Sequence, residues 1–181
     1  MPKNQPPVRL TRWCVITGPP CSGKTAVISE LARRGFRVLA EAARSFIDSE
    51  LNKGRSLAEI KSDPAQFEGH IFRTKLGTEA RLPADERVFL DRALPDSIAY
   101  YRLEGLDPAE PRRYSLRVRY SRVFLFEPIE FTKDPVRSED AETAARIERL
   151  IEEAYSELSY AIVRVPLMPV AQRADFVLAH V

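Results

Sequence analysis

The sequence has little of what covalent or metal staples require, with two cysteines and two histidines in 181 residues. Cys14 and Cys21 lie on either side of Gly18, where a bridge would pinch a loop that has to stay open, so a reducing, cytoplasmic compartment is expected. No apolar run approaches the roughly 18 residues of a membrane span, and residues 1–11 lack the apolar core of a signal peptide. Charge of one sign is also scarce. The net charge of +2 is too small to imply a nucleic-acid or membrane surface, although five arginines fall between Arg112 and Arg122. Internal repeats and low-complexity tracts are absent. What is present is an ordinary globular composition, 44% hydrophobic and 30% charged, so the fold has to come from packing. Residues 1–11 are expected to form a flexible N-terminal segment and 12–181 a single domain.

Five short runs rich in Val, Ile and Phe read as strands buried on both faces: 12–17, 36–40, 87–90, 122–126 and 161–165. Helical patterns separate them. One begins inside the glycine loop and stops at Gly35, and another, 140–158, aligns Ala144, Ile147, Ile151, Ala154, Tyr155 and Leu158 on one stripe. This alternation predicts a three-layer α/β domain with a five-stranded parallel sheet and right-handed crossovers. Two proline-broken stretches, 105–113 and 127–138, are expected to be mobile.

The run GPPCSGKT matches G-x-x-x-x-G-K-[ST] through Gly18, Gly23, Lys24 and Thr25, between an apolar strand and a helix. In such a loop, which includes Pro19, Pro20, Cys21 and Ser22, the backbone N–H groups within residues 20–25 (Pro20 itself has none) surround the β-phosphate, and the positive end of the following helix favours its charge. Lys24 reaches the β- and γ-phosphates, and the Thr25 hydroxyl ligates Mg²⁺. Asp91 ends the third strand run, where ligands of an open parallel sheet collect, and is expected to order the water shell of that Mg²⁺; a surface ion pair is the alternative. Glu41 ends the second run. It either accepts a proton from an acceptor hydroxyl or merely opens a helix, and its position leaves both readings open. The arginines of 112–122 read first as a solvated connector, then as an anion contact, and last as a nucleic-acid surface.

With VLAEAAR carrying Glu41 and Arg44, VFLDRALPDS carrying Asp91 and Arg92, and DPVR carrying Asp134 and Arg137, nearly the whole chain resembles the AAA-labelled P-loop family related to ribosylnicotinamide kinase. The "DR" pair is also similar to that of thymidylate kinases, and the strand-end Glu41 to the acid of deoxynucleoside kinases. The resemblance implies a nucleoside/nucleotide kinase-like fold and transfer of the ATP γ-phosphoryl group, with Mg²⁺, to a small-molecule acceptor. Lys24, Glu41, Asp91 and Arg137 would be catalytic, Arg44 and Arg92 would grip acceptor or phosphates, and a lid would span about 128–140. Gln66, Glu68, His70 and Arg73 would lie on the helix along the acceptor side. The family's lid glycine is Pro135 here. The rival readings are an ATP- or GTP-binding switch without an acceptor and, last, a nucleic-acid-associated NTPase. No Asn-Lys-x-Asp motif follows the fourth strand run, which favours ATP over GTP.

Overall fold

In the computed structural model, residues 7–129 and 141–181 are described. The chain runs from β1 (Arg9–Leu10) and β2 (Cys14–Thr17) through α1 (Lys24–Arg33) to β3 (Arg37–Leu39). It continues through α2 (Ala42–Asn52), α3 (Leu57–Ile60) and α4 (Pro64–Arg81) to β4 (Val88–Asp91). Then come α5 (Leu94–Leu103), α6 (Ala109–Ser115), β5 (Val118–Arg119) and β6 (Arg122–Phe126). After the undescribed stretch follow α7 (Ala141–Glu157), β7 (Ile162–Val165) and α8 (Val170–Ala179).

Five strands form one all-parallel sheet in the order β3-β4-β2-β6-β7. All five expected strand runs are present, with their ends displaced by no more than two residues in all. Strand alternation divides the core into two layers. Val15, Leu90, Val123 and Leu125 pack with Ile98 of α5 and Ile147, Ile151 and Tyr155 of α7. From the other face Cys14, Ile16, Phe89, Phe124 and Phe126 meet Val27 and Leu31 of α1 and Ala174 and Val177 of α8. Each such aliphatic side chain, fully withdrawn from water, contributes about 1.5–3 kcal/mol, which explains why both faces of every central strand are apolar.

α1 ends in a left-handed Gly35 (φ 88°), whose N–H bonds Ala32 O at 2.9 Å while that of Phe36 bonds Leu31 O at 3.1 Å. This double closure satisfies the last carbonyls and sends the chain straight into β3. A third, smaller cluster joins Ile60, Phe67 and Ile71 to Phe46 and Ile47, so α2, α3 and α4 stand together over the C-terminal end of the sheet.

Two expectations change. Arg9–Leu10, inside the segment expected to be flexible, pairs in parallel with Val118–Arg119 as a separate two-stranded sheet. The stretch 105–113, expected to be mobile, enters α6 with Pro111 buried, because a proline in the first turn lacks only an N–H the helix does not use. The arginine cluster is the solvated connector of its first reading, with Arg112, Arg113, Arg117 and Arg122 exposed on the way into β6; Arg113 and Arg117 flank the Tyr114 ring at 5.1 and 4.8 Å, Arg119 donates to Leu158 O and Ser159 O, and Arg122 donates to His180 O. Most of the expected lid, with Asp134, Pro135 and Arg137, lies outside the described residues.

Candidate active site

β2 leads away to β3 at the sheet edge, β4 returns between them, and β6 lies on the other side of β2. The crossovers diverge beside β2, and the loop that follows it opens at that divergence, where open parallel sheets bind ligands. Gly18, at φ 141°, passes so close to β6 that a Cβ there would sit 2.7 Å from the Phe126 carbonyl oxygen. A side chain would therefore have to displace the backbone. From the opposite side Arg173 of α8 reaches under the loop, donating to Ser22 O at 2.6 Å, Pro166 O at 2.9 Å and Glu127 O at 3.3 Å. Gly23 immediately precedes α1, so the N-terminus of that helix points into the loop.

Lys24 is buried and folded back into its own loop, donating to Pro19 O at 2.7 Å and Ser22 Oγ at 3.0 Å. Burial, joined by the nearby Arg92 charge, lowers its pKa to about 7 against the pull of Asp91, Glu41 and Asp96. Thr25 is exposed on the rim of a cavity of about 420 Å³ that the loop shares with α2, α3, α4 and α5.

Asp91 pairs in register with Ile16 of the loop-bearing strand and is 3% exposed. The surface ion pair is thereby excluded. Its Oδ1 is buried without a hydrogen-bond partner, and burial, together with Glu41, raises its pKa to about 6 in spite of Lys24 and Arg92. A buried carboxylate oxygen left unpaired at the end of the strand that pairs with the loop-bearing strand suits an octahedral Mg²⁺ that keeps its waters and arrives with a nucleotide. Among the described residues no group of three or more His, Cys, Asp or Glu could hold a metal ion. Asp91 borders a second cavity of about 380 Å³ beside the first, and Lys75 and Arg92 border both.

Glu41 occupies the N-cap position of α2 but makes no capping bond; its Oε1 accepts from Arg92 Nε at 2.9 Å. Burial pushes this carboxyl up, and Arg92, Lys24 and Lys75 together hold it below its ordinary value, so it stays ionised. Arg92 is itself buried, in a left-handed conformation (φ 66°), with its guanidinium 5.1 Å over the Tyr100 ring and 3.3 Å from Asp96 Oδ1. A non-glycine residue holds such a conformation only where its surroundings fix it. Arg44 is mostly exposed at the cavity mouth and pairs with Asp48 at 3.2 Å. His70 stacks on Phe46 with centroids 4.0 Å apart and borders the smaller cavity.

The chain thus brings Lys24, Thr25, Glu41, Asp91 and Arg92 together, with Arg44 at the rim and Arg137 outside the described residues. Sequence reasoning missed Asp96, Lys75 and Arg173. Asp96 is fully buried and accepts from Thr17 Oγ1, Arg92 Nη1, the Ala93 N–H and Tyr155 Oη, so it anchors Arg92 and with it Glu41. Its signal was legible as an acid three positions into a proline-started helix, where it bonds back to the N-cap amide. Lys75 donates to Ser97 Oγ at 3.2 Å. It lies on the buried stripe of α4 with Glu68 and Glu79, and charges at core-facing positions were its signal.

Among solved structures the chain is similar to the NadR protein in complex with NR, with TM-score 0.70 and 16% identity over 94% of this chain and 50% of that one. It is also similar to thymidylate kinase from Ehrlichia chaffeensis (TM-score 0.65, 15% identity, 96% of this chain and 98% of that one). A third likeness is to deoxyadenosine kinase from M. mycoides (TM-score 0.62, 11% identity, 93% and 97%). The chain spans about half the length of the NadR structures it matches, and at these identities the likeness is one of fold. No curated protein matches it. The AAA domain model matches residues 13–173, almost the whole of the chain that builds the loop, the sheet and the cavity, and the protein belongs to that family.

Proposed function

We propose that this protein is an ATP-dependent small-molecule kinase, moving the γ-phosphoryl group of ATP to a hydroxyl or phosphate acceptor of nucleoside or nucleotide type. One observation carries the reading: a phosphate loop and an ionised carboxylate, Glu41, face a single cavity of about 420 Å³ that continues past the loop between α2, α4 and α5. A switch that only binds and hydrolyses nucleotide has no need of that second chamber. The kinase folds of the similar structures support the same reading.

The loop amides and the α1 N-terminus would hold the phosphates, and Lys24 would leave Pro19 O and Ser22 Oγ for the β- and γ-phosphate oxygens. Mg²⁺, ligated by Thr25 and ordered through water by Asp91, would neutralise charge between the phosphates. With a hydroxyl acceptor, Glu41 orients the group and takes its proton as the acceptor oxygen bonds to the γ-phosphorus and the bond to the β-bridging oxygen breaks, releasing ADP. Arg92 keeps Glu41 ionised and aimed, and Arg44 at the mouth and Arg137 would offset charge on the transferring group. Most of the acceleration would come from positioning, because little covalent chemistry is left for the protein.

The test is incubation with γ-labelled ATP, Mg²⁺ and a metabolite extract. A kinase puts label on an organic acceptor. Label found only as inorganic phosphate, at any protein concentration, would reverse the reading in favour of a switch.

A further inference from the structure

Beyond Glu41 the cavity becomes an apolar chamber walled by Ile47, Leu51, Leu57, Phe67, Ile71 and Leu103. Asp48, Glu68 and Glu104 also line it; Asp48 and Glu104 are exposed, and Glu68 is the buried carboxyl of the three. Glu68 of α4 is 7% exposed, and no hydrogen bond or ion pair engages it among the described residues. Lys75, two turns along the same helix, is turned instead to Ser97, and Arg92 is taken by Glu41 and Asp96. Its oxygens are not among the buried polar atoms lacking a partner, so they look into the cavity rather than into the core. A side chain of this kind is not needed to hold α4, whose packing rests on Phe67, Ile71 and Phe72. Taking a carboxylate out of water without a partner is unfavourable, and a ligand that supplies a donor removes that deficit.

We infer that Glu68 selects the acceptor: its carboxylate accepts a hydrogen bond from an amino or hydroxyl group on an otherwise apolar or planar body seated in the chamber, while the reacting hydroxyl lies at Glu41. This rests on the kinase reading and adds to it the residue and the chemistry that choose the substrate. A carbonyl or bare ring nitrogen in the same place would face the carboxylate acceptor to acceptor. Sites built around one buried polar group discriminate strongly against a ligand that leaves it unpaired, by up to roughly 10⁴-fold. The charges around Glu68 are Lys75 on its own helix, Lys61 after α3, Arg92 after β4 and Glu104 after α5. Burial raises its pKa to about 7, so the acceptor character is fullest above neutrality.

The experiment uses two matched pairs that differ by an amino group against a carbonyl, cytidine with uridine and adenosine with inosine. Calorimetry at pH 8 with Mg²⁺ and a saturating non-hydrolysable ATP analogue measures each on the wild-type protein, Glu68→Gln and Glu68→Leu. The expected result is that the amino member of at least one pair binds about tenfold or more tightly than its carbonyl counterpart, and that the gap shrinks to within about threefold in both variants. Carbonyl members that bind equally well or better in both pairs overturn the inference. So does a gap that survives in either folded variant, or failure of all four to bind at about 1 mM. The analogue on the same wild-type protein separates the two claims. If it binds and no nucleoside does, only the role of Glu68 falls; if it does not bind, the kinase reading falls first.

Discussion

Asp96→Asn tests whether the site is organised by one buried carboxylate. In the folded protein Asp96 accepts from four donors: the Thr17 hydroxyl, Arg92 Nη1 at 3.3 Å, the Ala93 N–H at 2.9 Å and Tyr155 Oη at 2.6 Å. Asparagine keeps the shape but turns an NH₂ toward a donor and leaves the buried Arg92 with Glu41 as its remaining ion-pair partner. Removing one partner of a buried pair costs about 3–5 kcal/mol. Tyr155→Phe deletes a single hydrogen bond to the same charge and should cost about 1.5–3 kcal/mol. Urea unfolding at pH 7.5, followed by circular dichroism with the m-values compared, measures both. Burial works against the Asp96 charge, but Arg92, Lys75 and its donors hold its pKa below the ordinary carboxylate value. Its contribution is therefore complete above the unfolded-state pKa and is lost only as the pH falls through the folded one. The gap between wild type and Asp96→Asn should stay constant from pH 6 to 8 and close only below about pH 4. A loss under about 1 kcal/mol, or no larger than that of Tyr155→Phe, would refute the claim that this carboxylate anchors the site.

Two further outcomes follow from the loop. Lys24, with its pKa lowered by burial to about 7 when the loop is empty, should take up most of a proton per ATP at pH 8 as it meets phosphate. Calorimetry in buffers of differing ionisation enthalpy reads this uptake, and a value near zero would mean that Lys24 is already charged. Arg173→Leu removes three donors to the backbone around the loop and a guanidinium stacked 5.3 Å over Phe126. It should lower stability by about 3 kcal/mol, or roughly 6–12 °C in melting temperature, and a shift under about 2 °C would show that α8 does not brace the loop.

The sheet was legible because strands buried on both faces leave an unmistakable apolar run, and the loop because its glycines and Lys24-Thr25 follow such a run directly. α6 was not, since Pro108 and Pro111 read as breakers until the proline is recognised as sitting in a first turn. The β1–β5 pair was invisible for a different reason. Two-residue strands with exposed neighbours carry no periodicity, and their partners lie about a hundred residues apart. In the site, Glu41 and Asp91 could be found from strand ends, whereas the role of Arg92 depends on a left-handed backbone and on Asp96 and Tyr100 closing around it. Long-range arrangements of that kind are not encoded in any local pattern.

The central claim is that the loop holds ATP while Glu41 serves a different molecule. Its most direct measurement is ATP affinity and phosphoryl transfer in Glu41→Gln, side by side with wild type. Affinity should stay within about threefold of wild type while transfer slows by about 10²- to 10⁴-fold, the range for a positioned acid or base. Affinity lost in step with transfer, or transfer undiminished, would contradict it.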